Sequence, residues 1–584
     1  MNLGLSLLTF FCLFFVGHLF TNRQTPVAVK PLVGFGLFYT FAIASSIVAP
    51  GLNLQFLCLF FFLLSIAGFL TAFKRPHELL GLALIMIITA PLLWVATNVK
   101  ELIWDDYTHW LVSARFVFDF GHLPIKSELP WNHGAPGYPY GLSLLHGLTA
   151  RWAGSFSELN SGFFNILFAG STTLWGIKFT TETNKNPWIF LREQFASVSF
   201  WSLFLFGWIM MLSTRLISSS YCDPMLAISF GNLFVFMWWN KNQTGSYYTN
   251  LFVLATLAMS CMALKQIAFY YIVIACIAIG FSQFTIHYMK ANQIQWKVDI
   301  KTAASISTLM ATSFFGKEMW SYYRDRENVG GGFYLNPISE WRLDLVDEIL
   351  VSIGDQFLGR PYFISLVFIL ALLALKLARS NDAKMLYPIL STIFFSILFI
   401  FLHLTAYAIA SFDQFTAARA SSFDRYSGVA GVVTVVCLLY ICQNKLNFEK
   451  NKDLLVFALL PFIFNNLMIF LNLEKFIQPE RNTEIPLIAR ELNKRFKDGP
   501  PVQVIEMSGN GGEAVKIIFL MNQKARSSYL SGIAYGTFDE NYFRKRLQEN
   551  ILYVHNADKS TNDILIKLKR EFPTKIIYTA ELLN

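Results

Sequence analysis

Charge is what this sequence has least of. Only 15% of its 584 residues are Asp, Glu, Lys or Arg, whereas 54% are hydrophobic and 58 are Phe. So few charges, with a mean hydropathy of +0.45, exclude a soluble globular class and point to a polytopic α-helical membrane protein. Cysteine is scarce too. The seven residues Cys12, Cys58, Cys222, Cys261, Cys276, Cys437 and Cys442 lie almost entirely in apolar runs, with no CxxC and no metal-ligand spacing. They read as small buried hydrophobes. The first twenty residues lack a basic n-region and a small-residue cleavage site, so a first transmembrane helix is expected there, not a removed signal peptide. No internal repeat is evident, which argues against a transporter built from repeated halves. The net charge of +9 does not require nucleic acid, because cytoplasmic loops of a many-spanning protein accumulate Lys and Arg.

What is present is a series of apolar runs long enough to cross roughly 30 Å of hydrocarbon. They fall near 3–20, 31–49, 53–73, 79–98, 159–178, 194–213, 224–239, 248–264, 267–286, 302–316, 361–377, 386–404, 428–444 and 454–472, which predicts about fourteen spans. Basic clusters in alternate loops, from Arg23 and Lys30 through Lys74 and Arg75 to Lys445, Lys450 and Lys452, set one side as cytoplasmic. That assignment holds only if 138–153 lies along the membrane as a juxtamembrane or half-inserted helix. The transmembrane domain then covers 1–473, with external loops at 99–158, 214–223, 317–360 and 405–427. The long loop 317–360 is expected to act as a lid. From 474 to 584 the composition is that of a soluble domain. Strands are predicted at Val502 to Met507, Ile551 to Val554 and Lys575 to Tyr578, and helices at Gly512 to Asn522, Asp539 to Asn550 and Asn562 to Phe572. This predicts a small α/β extracytoplasmic domain. Its Ser508-Gly509-Asn510-Gly511-Gly512 stretch is read as a turn, since no Walker lysine follows.

The chemistry is expected at Trp104-Asp105-Asp106-Tyr107-Thr108-His109-Trp110, where an apolar run gives way to a polar loop. Asp105 and Asp106 can also cap the amphipathic stretch that follows. After them come Tyr138-Pro139-Tyr140-Gly141, then Asp223-Pro224-Met225-Leu226, Lys265-Gln266 between two spans, and Asp424-Arg425-Tyr426. His109, His122, His133 and His146 have no i, i+4 zinc spacing. The Trp and Tyr of the first loop, Trp104, Tyr107, Trp110 and Trp131, read as an interfacial belt.

In order and shared side, these motifs resemble the GT-C superfamily of integral membrane glycosyltransferases, in the branch of protein O-mannosyltransferases and lipid A aminoarabinose transferases. The resemblance implies a GT-C-like fold, Asp105 as the catalytic first-loop acid with Asp106 beside it, Tyr138-Pro139 as the Pro-rich element and Asp223 as the second external acid. Lys265 looks like the family's basic position, and Arg425-Tyr426 is similar to its late external Arg-Tyr.

A sugar linked through phosphate to a polyprenol is already activated. Its transfer needs a base for the acceptor hydroxyl, positive charge for the departing phosphate and an apolar groove. Asp105 is the expected base, with Asp106 and Asp223 orienting the acceptor. Lys265 and Arg425 are the phosphate partners, and Tyr426, Tyr138 and His109 are further substrate contacts. No cofactor is required, but the three acids are the oxygens that would share magnesium or manganese. The expected partners are a polyprenyl-phosphate sugar donor, membrane lipid and a glycan, lipid or protein acceptor. The expected location is a bacterial inner membrane, with the site facing the periplasm or exterior. The competing readings are a polymerase or ligase of lipid-linked polysaccharide and a secondary transporter.

Overall fold

The computed structural model describes residues 2–97, 106–128, 136–176, 221–241, 246–291, 299–330, 335–358, 370–371, 374–375, 383–410, 412, 414–445, 484–496, 499–507, 512–521, 528–531 and 538–583. The first four helices are α1 (Asn2–Leu19), α2 (Lys30–Val48), α3 (Gln55–Ala72) and α4 (Pro76–Thr97). A π-helical turn, Asp106–Trp110, leads into α5 (Leu111–Phe120), then α6 (Gly141–Ala153) and α7 (Asn160–Thr173). Next come α8 (Asp223–Lys241), α9 (Tyr247–Met262), α10 (Ala268–Ala291), α11 (Ile300–Arg326), α12 (Val346–Leu358), α13 (Ala383–Ile409), α14 (Gln414–Ala418) and α15 (Phe423–Lys445).

Local chemistry sets several of these boundaries. Asp299 accepts the Thr302 backbone N–H at 2.9 Å and starts α11. Helices α5 and α6 stop on Gly121 and Gly154, whose φ of 79° and 67° puts them in the left-handed region where glycine carries no Cβ penalty.

Among the described residues, six helices are long and apolar enough to cross a membrane: Asn2–Leu19, Val27–Val48, Gln55–Ala72, His77–Thr97, Ala268–Met289 and Leu386–Ile409. This makes the chain a helical membrane protein, and the described residues show six of the fourteen expected spans. Some apolar runs form helices of only 14 or 16 residues, as in α7 and α9. The runs at 194–213 and 454–472 lie outside the described residues. The segment taken as an external loop from 317 differs as well. Helix α11 continues through it to Arg326, with Trp320 and Tyr323 buried.

Helices α1 and α2 meet backbone to backbone. A Cβ on Gly17 would lie 1.8 Å from the Lys30 carbonyl oxygen, and one on Gly34 would lie 2.0 Å from that of Leu13. At this junction Lys30 is fully buried and donates to Glu78 of α4. His18 Nδ1 lies 3.2 Å from the Lys30 Nζ and 3.6 Å from Glu78, and His77 Nε2 is 3.4 Å from Glu78. One carboxylate thus ties together the ends of three helices.

The C-terminal region consists of α16 (Ile485–Phe496), β1 (Val502–Glu506), α17 (Gly512–Met521), β2 (Ser528–Ser531), α18 (Glu540–Glu549), β3 (Ile551–Asn556), α19 (Lys559–Glu571), β4 (Ile576–Tyr578) and α20 (Thr579–Leu583). The three predicted strands and three predicted helices are present, joined by α16 and β2. The sheet is parallel in the order β2-β1-β3-β4. Val502, Val504 and Tyr553 face a core shared with Ile488, Leu492 and Ile517. The alternate residues Ile505, Leu552 and Val554 face Phe543, Leu547, Leu565 and Leu568. Helices therefore cover both faces, as a parallel sheet buried on two sides requires. The buried Glu506 carboxylate accepts the Ala514 N–H at 2.7 Å. Of the Gly-rich stretch read as a turn, residues 508–511 lie outside the described residues.

Helix α17 rests on the π-helical turn. Tyr107, Leu111 and Val515 form one small buried cluster with Phe156, Leu159 and Phe519 around it. The Tyr107 ring meets Phe519 edge-on at 5.3 Å, and its hydroxyl donates to Glu158 at 2.7 Å.

Candidate functional site

Helix α8 opens on Asp223-Pro224, an arrangement the helix favours: the carboxylate sits at the positive end of the dipole, and the proline replaces an N–H that has no intrahelical partner. Lys265 lies in the tight turn between α9 and α10, where the Ala268 N–H bonds back to the Lys265 carbonyl. The same turn holds the Pro-rich segment. Gly141 N–H donates to Ala263 O at 2.9 Å, while Gln266 Nε2 and Trp320 Nε1 both donate to Gly137 O, at 3.1 and 2.8 Å. A Cβ on Gly141 would stand 2.5 Å from the Ala263 oxygen, so glycine is needed for this close approach. Arg425 and Tyr426 occupy the first turn of α15, after a bend in which Ala420 and Ser422 adopt φ of 43° and 70°. A non-glycine residue held in that region costs on the order of 1–3 kcal/mol.

These segments converge. Lys265 Nζ lies 2.6 Å from Asp223 Oδ1, with both side chains over nine-tenths buried. The ammonium sits 4.8 Å from the Tyr426 ring and 5.7 Å from the Trp110 ring. Trp110 stacks on Tyr138 at 5.7 Å and lies 6.3 Å from Tyr221. The Arg425 guanidinium lies 4.7 Å over Tyr221, and its Nη2 donates to Ser422 Oγ at 2.9 Å. The second Asp223 oxygen, Oδ2, is buried and accepts no hydrogen bond from the described residues. Burial alone would lower the Lys265 pKa, but the Asp223 carboxylate beside it reverses the effect and holds it above the ordinary lysine value. Burial also pushes the Tyr138 phenol up to about 12. The result is a desolvated ion pair walled by Trp110, Tyr138, Tyr221 and Tyr426, with a second cation at its rim.

Of the residues singled out from sequence, Asp223, Lys265, Arg425, Tyr426 and Tyr138 are brought together. Asp106 opens the π-helical turn that carries Trp110 into the cluster, and π turns recur at functional sites. His109 lies on that turn, with its carbonyl accepting Ser113 Oγ at 3.0 Å. Asp105, Trp104, Trp131 and His133 lie outside the described residues. His122 and His146 are engaged elsewhere, and among the described residues no three His, Cys, Asp or Glu side chains could hold a metal ion.

Sequence reading missed four members, Trp110, Tyr221, His403 and Tyr271. Trp110, like Tyr107 outside the cluster, is buried, not displayed at a membrane surface as a belt would require. Tyr221 sits two residues before Asp223. His403 of α13 lies beneath Tyr426, their ring centroids 5.4 Å apart. Its Nδ1–H donates to Phe399 O at 2.9 Å, which leaves Nε2 to accept from Tyr271 OH at 3.2 Å. No signal for His403 or Tyr271 exists in sequence, since each is one polar residue in an apolar span. No protein-family model and no curated protein matches the chain.

Proposed function

We propose that the protein is a membrane glycosyltransferase that moves a sugar from a polyprenyl-phosphate donor to an acceptor hydroxyl at this site. One observation carries the reading: five residues from four distant segments, chosen for this chemistry from sequence, lie in one desolvated cluster beside the Asp106 turn. Asp105 is the base, with Asp106 next to it. Asp223 Oδ2 is an open acceptor suited to orienting a hydroxyl, and the donor phosphate takes over Lys265 from Asp223, with Arg425 as its second cation. Displacement at the sugar carbon breaks the bond to the phosphate oxygen and forms the bond to the acceptor oxygen, with inversion. The acceptor proton goes to Asp105. In this reading the fold is GT-C-like with about fourteen crossings, the site opens to the periplasm or exterior of a bacterial inner membrane, and the acceptor is an envelope glycan, lipid or protein. Asp105, Asp106 and Asp223 would supply the oxygens for magnesium or manganese.

The test is incubation of purified protein with a panel of radiolabelled polyprenyl-phosphate sugars. Sugar should be lost from one donor, and Asp105→Asn should reduce that loss by roughly 10²- to 10⁴-fold. Consumption of every donor unchanged in Asp105→Asn would remove the residue from the site. A second reading, secondary transport, is favoured by the buried Lys30–Glu78–His18 cluster, because ionisable groups among spans often mark a transport path. Uptake of a water-soluble solute into vesicles, with no donor consumed, would select it.

A further inference from the structure

Helix α12 carries three distinct faces. One is buried: Ile349 and Ile353 pack inward, Ser352 Oγ donates to Ala418 O at 2.7 Å, and Gln356 Nε2 donates to Arg419 O and Ala420 O at 2.8 and 3.1 Å. A second is acidic, with Asp344, Asp347, Glu348 and Asp355 at helical spacings of three, four and seven. Beside it runs an open apolar strip, Leu350 on the helix and Leu343 seven residues earlier in the 3-10 turn that leads into it. Leu343 and Leu350 are 63% and 44% exposed, and Val351, Ile338 and Leu335 nearby are also open.

Two independent observations say what covers that strip. The segment leading into α12 is bonded to the last turn of a candidate membrane span, Leu386–Ile409: Asn336 N–H donates to Ile409 O and Arg342 N–H to Ala408 O, both at 2.9 Å. Helix α12 therefore lies at the depth where that span leaves the hydrocarbon. The span also has its own outward stripe, with Ile397 and Phe401 exposed one turn apart, and α12 packs against this helix. The open strip of α12 continues a surface that faces lipid.

We propose that α12 lies in the plane of the bilayer interface. Leu343 and Leu350 enter the boundary between headgroups and acyl chains, and the acidic face points to water. Such a helix buries its apolar side roughly 5–10 Å into that boundary. Because its inner face is bonded to 418–420, just before Arg425 and Tyr426, the interface sets the depth of that segment. The occupant of the strip is bilayer lipid, and this holds whatever reaction the site performs.

The full chain in phosphatidylcholine vesicles tests it. With native cysteines replaced by alanine, Leu350→Cys and Asp355→Cys are each labelled with an environment-sensitive fluorophore. Leu350→Cys should be quenched several-fold more by a lipid-borne nitroxide than by aqueous iodide, and Asp355→Cys the reverse. Equal iodide quenching at both sites would overturn the proposal. The unmodified protein supplies a second measurement with diazirine-tagged phosphatidylcholine and peptide mapping. Label on 338–351 as well as on 397–401 supports it; label confined to 397–401 refutes it.

Discussion

Among the described residues two Lys–carboxylate pairs are buried, and their surroundings differ in kind. Lys30 and Glu78 sit where helices touch backbone to backbone, with His18 and His77 closing on the same carboxylate. Lys265 and Asp223 sit among aromatic rings contributed by loops and helix ends, and in each pair one buried carboxylate oxygen, Glu78 Oε2 or Asp223 Oδ2, accepts no hydrogen bond from the described residues. The first arrangement pins helices. The second is walled by aromatic side chains, not by backbone. Burial, pairing and an open oxygen are common to both pairs; the packing around them is what differs.

The largest expected effect comes from breaking each pair. Lys30→Met and Lys265→Met each leave a carboxylate buried without its ammonium and should cost about 3–5 kcal/mol. Replacing both partners is the sharper version, because a buried pair exchanged for apolar groups can be nearly neutral in stability. Lys30→Met with Glu78→Leu should recover both the unfolding midpoint and donor consumption. Lys265→Met with Asp223→Leu should recover the midpoint alone. Thermal unfolding in detergent beside the donor assay reads both, and equal activity of the two double variants ends the distinction.

A third buried ionisable group shows the alternative of staying neutral. His146 donates from Nε2 to Ser157 O and accepts at Nδ1 from Ser161, both at 2.7 Å, and burial lowers its pKa to about 4. The unfolded chain, near 6.5, binds the proton first. Stability is therefore complete above pH 6.5 and falls as pH drops toward 4, by up to about 3 kcal/mol. Unfolding midpoints of wild type and His146→Gln across that range should converge at low pH; parallel curves would contradict the assignment.

Smaller effects follow. Gly17→Ala drives a methyl into the Lys30 carbonyl and should cost about 1–3 kcal/mol by overpacking, read as a lower midpoint with donor consumption per folded molecule unchanged. Tyr107→Phe removes the hydroxyl bonded to Glu158 and should cost about 1 kcal/mol. It should also loosen the Asp106 turn, measurable as faster hydrogen exchange at 107–111.

Much of the site was legible because its residues interrupt apolar runs: a lysine between spans, or an aspartate before a proline at a helix start, stands out locally. Trp110, Tyr271 and His403 did not, since their meaning lies in contacts across the bundle that no local period encodes. The same holds for the fold. Hydropathy locates where α11 becomes polar, near Lys317, but the spacing of Gly316, Trp320 and Tyr323 keeps one face buried and the helix continues. Ile485, Ile488, Ala489 and Leu492 had the helical period of α16 in plain view, whereas the short polar strand Ser528–Ser531 had none.

The π-helical turn reaches in two directions: Trp110 into the cluster around Lys265, and Tyr107 onto Phe519. It is made early in synthesis, and the surface that clamps it is made near the end. A nascent chain can therefore place its first helices long before the geometry around Asp106 exists. The turn is fully packed only when α17 docks, after the segments that carry Asp223, Lys265 and Arg425 have been made.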